Sequence, residues 1–204
     1  SHKGLSRLIP GENNEYRIIN YTLSQGLQGD EFTINASLKT RKGEILFGGT
    51  NGFNTFSPEQ IRINDFVPPV VITDFRIYNQ SVPINQTTHG RIILKDHISV
   101  TNSIDLRFID KVISFEFSAL SYSLQHKNMY AYMLEGFEKD WVETTADRRY
   151  ATYTNLDPGD YVFRIKASNS DGIWNEEGTS LQIAMAPPIW QTWWAFLVYG
   201  GLVV

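Results

Sequence analysis

The stretch Tyr150-Ala151-Thr152-Tyr153-Thr154-Asn155-Leu156-Asp157-Pro158-Gly159-Asp160-Tyr161-Val162-Phe163-Arg164-Ile165-Lys166-Ala167 reads as strand, turn, strand. Aromatic and β-branched residues fill Tyr150–Tyr153 and Tyr161–Ala167, the residue types that suit a pleated, half-buried surface. Asp157-Pro158-Gly159-Asp160 between them is a turn signal. Tyr161, placed just after that turn, is a candidate for a corner residue whose hydroxyl ties the turn to the backbone.

Working outward, the same signal recurs. Val70-Val71-Ile72, Ile92-Ile93-Leu94, Ile104 to Phe108, Val112 to Phe117, Tyr130 to Leu134 and Leu181-Gln182-Ile183 are all β-rich. Asn79-Gln80-Ser81 and Asp171-Gly172 mark turns between them. About seven or eight strands across roughly 115 residues, with no convincing helical period, predict an all-β sandwich of the immunoglobulin or fibronectin kind. The chain has no cysteine, so the fibronectin-type variant fits better than a disulfide-bearing domain. Ser118 to His126 is the one ambiguous patch.

The first third also reads as short strands. Phe32, Ile34, Ala36 and Leu38 alternate with polar residues, which predicts a half-buried strand. Ile45-Leu46-Phe47 follows the Lys42-Gly43 turn, and Asn51-Gly52 is a hairpin signal before Phe53 to Phe56. Three or four strands in about 40 residues is the size of one propeller blade, which cannot bury both of its faces alone. Pro68-Pro69 separates this part from the centre and Pro187-Pro188 separates the centre from the tail; paired prolines favour stiff, extended connectors. After Ile189 come fifteen uncharged residues, Trp190 to Val204, led by three tryptophans. A span needs about 20 apolar residues, with Trp at the headgroup level. The tail therefore reads as the start of a transmembrane helix, against the alternative of a short buried helix or core strand.

A net charge of −4, with no Lys/Arg run, gives no nucleic-acid footprint. The four histidines are scattered, and no zinc-helix motif, nucleophile elbow or phosphate loop occurs. Glu135, Glu138 and Asp140 crowd one segment, but a glycine-containing turn suits them better than acid–base work. Asn169-Ser170-Asp171-Gly172 has the look of a calcium loop; the closing glutamate position falls on Gly178, so a tight hairpin is the better reading. No catalytic, cofactor-binding or metal-binding residue is expected. Tyr130, Tyr132, Tyr153 and Tyr161, with Trp141 and Trp174, form the aromatic theme. They could stack on sugars, but tyrosines more commonly bury the ring and bond the hydroxyl at the core edge.

Tyr130-x-Tyr132-x-Leu134-Glu135-Gly136, Trp141, Tyr153-x-Asn155-Leu156-x-Pro158-Gly159-x-Tyr161 and Asn169-x-Asp171-Gly172-x-Trp174 together resemble the Y_Y_Y domain. Gly43 to Pro58 resembles the two-component-regulator propeller repeat in its last-blade form, with Phe47 where the repeat often carries Trp; Gly4 to Leu8 resembles the end of the preceding repeat. The resemblance implies the periplasmic sensor region of a hybrid two-component histidine kinase. In that arrangement residues 1–66 are the C-terminal part of a propeller, 67–186 the Y_Y_Y sandwich and 187–204 the connector and start of a transmembrane helix. It implies an oligosaccharide bound by upstream propeller domains, a homodimer, and anchoring on the periplasmic side of a bacterial inner membrane. It gives the motif residues, Gly136, Pro158, Gly159, Asp171 and Gly172 among them, structural and not catalytic roles. The alternative is a carbohydrate-binding accessory module of a surface glycan-processing protein.

Overall fold

The computed structural model describes residues 4–11 and 15–188. The chain divides into two compact units, Ser1–Asn64 and Asp65–Val204. Among the described residues there are strands and short 3-10 turns but no α-helix. No helix among them is long and apolar enough to cross a membrane. The tail expected to begin a span, Trp190 to Val204, lies outside the described residues.

The first unit holds two small antiparallel sheets. β1 (Leu5–Pro10) pairs with β2 (Tyr16–Tyr21). β3 (Phe32–Lys39), β4 (Ile45–Gly49) and β5 (Gly52–Phe56) form a meander. The tight β4–β5 connection falls at the Asn51-Gly52 signal, where Gly52 takes φ 122°. The strict alternation expected of Phe32, Ile34, Ala36 and Leu38 does not hold. Asn35 sits at φ 64° and the β3–β4 register slips between Phe32 and Ser37. A bulge of this kind inserts unpaired residues and re-aims the side chains that follow. Ile34 and Leu38 are 85% and 62% exposed.

The second unit is a two-layer immunoglobulin-like sandwich. Its strands are β6 (Val70–Ile77), β7 (Gln80–Ser81), β8 (Thr87–Thr88), β9 (Arg91–Ile92), β10 (Ser103–Arg107) and β11 (Val112–Ala119). β12 (Met129–Glu135), β13 (Val142–Thr145), β14 (Tyr150–Thr154), β15 (Gly159–Ser168) and β16 (Trp174–Ala186) complete it. One layer runs β14-β11-β6-β7 and the other β10-β16-β15-β12-β13; β8 and β9 make a small separate ribbon. All of these pairings are antiparallel except β10 with β16, which is parallel. The Ile92-Ile93-Leu94 run yields only the last residue of β9 and an isolated bridge from Leu94 to Ile84. Ser118 to His126 resolves into the end of β11, an irregular loop with Leu124 at φ 44°, and the start of a 3-10 turn at Gln125–Lys127.

Inward-facing residues of the two layers meet in one core. Phe163 of β15 is its centre, stacked on Phe115 at 4.6 Å and touching Phe117, Tyr132 and Tyr153 at 6.2–6.3 Å between ring centroids. Offset and edge-on contacts of this kind add to the gain from burying the rings themselves. Val70, Ile72, Phe75, Ile104, Leu106, Ile165, Leu181 and Ile183 fill the space around them.

Candidate functional site: the tyrosine framework and its electrostatic anchors

Tyr130, Tyr153 and Tyr161 each spend the ring on the core or its turns and the hydroxyl on one specific partner. Tyr130, 1% exposed, accepts a hydrogen bond from the Ala119 amide at 3.2 Å, so a β12 side chain fastens the end of β11 in the opposite layer. Tyr153 of β14 donates to Glu138 Oε2 at 3.0 Å, and the same oxygen accepts the Leu134 amide at 2.7 Å. One carboxylate therefore joins the turn after β12 to the facing layer. Burial, then the Glu138 charge, pushes the Tyr153 hydroxyl well above the ordinary phenol range. Tyr132 is raised for the same two reasons, burial first. The Tyr153 hydroxyl serves as a fixed donor to Glu138.

Tyr161 donates to the Asp157 carbonyl at 2.9 Å and closes the Asp157-Pro158-Gly159 turn against the start of β15. Gly136 lies under its ring. At φ 95° it occupies a region closed to most residues, and a Cβ there would come 3.0 Å from Tyr161 Cδ1. Gly159 is less constrained, since a Cβ would meet the Tyr161 ring only at 3.9 Å. Asp171 and Gly172 form the β15–β16 hairpin: Asn169 Oδ1 accepts the Asp171 and Ile173 amides at 2.9 and 3.0 Å, and Gly172 turns at φ 79°. Trp141 and Trp174 flank Lys166, whose Nζ lies 4.8 and 5.5 Å from their rings and 2.7 Å from Glu176. The structure thus brings Tyr132 and Tyr153 together at Phe163, Gly136, Pro158, Gly159 and Tyr161 at one corner, and Trp141 and Trp174 around Lys166.

Two of the three crowded carboxylates, Glu135 and Glu138, are occupied. Glu135 pairs with Arg164 at 2.5 Å and Glu138 holds Tyr153. Among the described residues no group of His, Asp and Glu could hold a metal ion.

Sequence reasoning missed one cluster. Asp110, with its side chain fully buried, accepts from Arg107 N at 2.8 Å, Arg91 Nη2 at 2.6 Å and His89 Nδ1 at 2.7 Å. Burial alone would raise this carboxyl, but the Arg107 amide, then Arg91 and His89, outweigh it and hold the group below the usual carboxylate value. The cluster pins the β8–β9 ribbon to the end of β10. Its members carry no motif, and only the lone Asp in the β10–β11 turn could have hinted at it. In the first unit, a cavity of about 460 Å³ has Leu5, Arg7, Tyr21, Phe47, Phe56 and Ile61 among its lining residues.

The Y_Y_Y domain model matches residues 121–186. The chain is 37% identical over 186 residues to Histidine kinase P4 of Formosa agariphila, covering 91% of this chain and 13% of that protein. Two solved structures, both from B. thetaiotaomicron, are similar over most of the chain. One, named as the extracellular domain of a hybrid two component system, BT3049, gives a TM-score of 0.65 at 26% identity over 91% of this chain and 27% of that one. The other, named likewise for BT4673, gives 0.54 at 27% identity over 93% and 23%. The chain thus spans about an eighth of the curated relative and about a quarter of each solved domain. Residues 121–186 are accordingly a Y_Y_Y domain, carried by a chain that is similar to the extracellular domains of hybrid two-component systems.

Proposed function

We propose that this chain is the periplasmic signal-transducing segment of a transmembrane hybrid sensor histidine kinase. It couples carbohydrate sensing by upstream propeller domains to a membrane helix that begins in the tail, within a homodimer. Residues 1–66 supply the end of the propeller, 67–186 the relay sandwich and 187–204 the connector and membrane entry. The likeness to a named histidine kinase and to two-component extracellular domains supports the class.

One observation carries the relay reading. β16 is paired on both sides along Gln182–Met185, by β10 and β15, and β10 alone continues to Ala186, which runs directly into Pro187-Pro188. A strand held this way has little independent freedom, and the prolines add little slack. A ligand shifts a signalling equilibrium only through two arrangements that it binds differently, so the connection must preserve geometry. A flexible Gly-Ser stretch inserted between Ala186 and Ile189 of the full-length receptor should abolish induction of a transcriptional reporter by a mixed oligosaccharide digest. Binding of that digest should be unchanged. Reporter induction at normal sensitivity after the insertion would refute rigid transmission.

The alternative, a carbohydrate-binding accessory module, needs aromatic faces open to a sugar. Tyr130, Tyr153 and Tyr161 are buried, and Lys166 occupies the neighbourhood of both Trp141 and Trp174.

A further inference from the structure

The segment that enters the sandwich cannot be fastened in the ordinary way. Pro68 and Pro69 have no N–H to donate, so the backbone at these two positions can be held only through its carbonyls. Four of the five carbonyls of residues 66–70 are taken. Phe66 O accepts from Asn169 Nδ2 at 2.8 Å, Pro68 O from Asn175 Nδ2 at 3.0 Å, Pro69 O from Leu120 N at 2.7 Å, and Val70 O from the Thr179 hydroxyl. Three of the four donors belong to the β15–β16 hairpin and to β16 itself.

Both asparagines use both ends of the amide. Asn169 Oδ1 receives the Asp171 and Ile173 amides, and Asn175 Oδ1 receives the Gly178 amide at 3.0 Å. Turning either amide over would set oxygen against oxygen at the linker and N–H against N–H at the hairpin. Each side chain is therefore a bridge with one end on the hairpin strand and the other on the incoming segment.

The strand is shaped to make this match. Opposite β15, Asn175 pairs with Ala167 and Thr179 with Ile165, so four steps along β16 are set against two along β15. In a regular strand Asn175 and Thr179 would stand about 13 Å apart; the bulge brings them to roughly the 7 Å of a two-residue step. That is the spacing of Pro68 and Val70 on the linker. The bulge closes only because position 178 is glycine: φ is 60° there, and a Cβ would lie 2.1 Å from Ile165 O.

We infer that Asn169, Asn175 and Thr179 form a coupling clamp that ties the segment entering the sandwich to the strand leaving it. Displacement arriving from residues 1–64 is delivered straight to β16 through these side chains, bypassing the hydrophobic core. The coupling role rests on the relay reading above; the clamp itself does not.

The chain has no cysteine, so two introduced ones can carry spin labels without background. Val67→Cys and Gln182→Cys place them at exposed positions on the linker and on β16. Electron–electron distance measurements should give one narrow distribution. Asn175→Asp with Thr179→Val removes the two donors while keeping size and the acceptor for Gly178, and should broaden the distribution at least two-fold. Thr179→Ser, which keeps the hydroxyl, should leave it narrow. Circular dichroism with an unchanged β spectrum checks that the pair folds, and Thr179→Val alone gives a milder variant should it not. An unchanged width in the folded variants overturns the clamp. In the full-length receptor the same pair should cut reporter induction by the oligosaccharide digest at least ten-fold without altering digest binding. Normal induction despite a broadened distribution overturns the coupling role. Normal induction after the Gly-Ser insertion at 186–189 would instead overturn the relay reading, and the spin-label widths would still decide whether the clamp exists.

Discussion

Replacing Asp110 by Asn should be among the most damaging isosteric changes in the sandwich. Asp110 is the common acceptor for Arg107 N, Arg91 Nη2 and His89 Nδ1, with no exposure of its own side chain. Asn retains one carbonyl oxygen and turns an NH₂ toward the remaining donors. The Arg91 side chain, 15% exposed, then keeps its charge without a counter-charge. Breaking one side of a buried pair costs about 3–5 kcal/mol. The oxygen that Asn keeps favours the lower end, so about 3 kcal/mol is expected, or roughly 10 °C in Tm for a unit of this size. The effect has a signature in pH. The folded-state pKa of Asp110 lies below its ordinary value of 3.8, so its contribution is fully present above that pH and is lost as pH falls through the folded value. Thermal melts of both proteins followed by circular dichroism should show a gap near neutrality that narrows progressively below about pH 4. Comparing the two proteins cancels the other carboxylates. A difference below about 1 kcal/mol at pH 7, or one that persists unchanged into acid, would refute the assignment of the buried charge.

Tyr161→Phe keeps the ring over Gly136 and removes only the bond to Asp157 O. It should cost about 1 kcal/mol, read as a lower urea midpoint with an unchanged slope. Phe163→Ala empties the centre of the aromatic cluster and should cost about 3–5 kcal/mol in the same assay. A loss under about 1 kcal/mol would mean that the facing rings collapse into the space.

The sandwich was legible because its signals are local. Tyr150–Thr154 and Gly159–Ser168 are strands around a turn whose residues specify it, and Tyr161 sits where a corner hydroxyl can reach back four residues. The parallel partnership of β10 and β16 was not legible, since residues some 80 positions apart carry no pairing code that periodicity exposes. The Asp110 cluster was hidden for the same reason: His89 and Arg91 meet Asp110 only after the β8–β9 ribbon has folded over. Two bulges also escaped notice. At Asn35 the alternation looked regular, and the asparagine, a residue type that tolerates positive φ, was too weak a mark to break it. At Glu176-Glu177-Gly178 the glycine was visible, but its purpose depends on the linker that Asn175 and Thr179 hold. The clamp is thus a tertiary device assembled from ordinary polar residues.

The position of β16 has a mechanical consequence. Hydrogen bonds in a sheet lie across the strands, so tension along a strand loads a run of them in shear, together, whereas tension across an edge strand breaks them one after another. β16 is an interior strand, flanked by β10 and β15, so a pull directed along its axis loads both ladders. The two ladders then share the load, and the domain resists as a rivet row and not as a zipper. An outward tug at the C-terminal end is met by the whole five-stranded layer before any single pairing gives way.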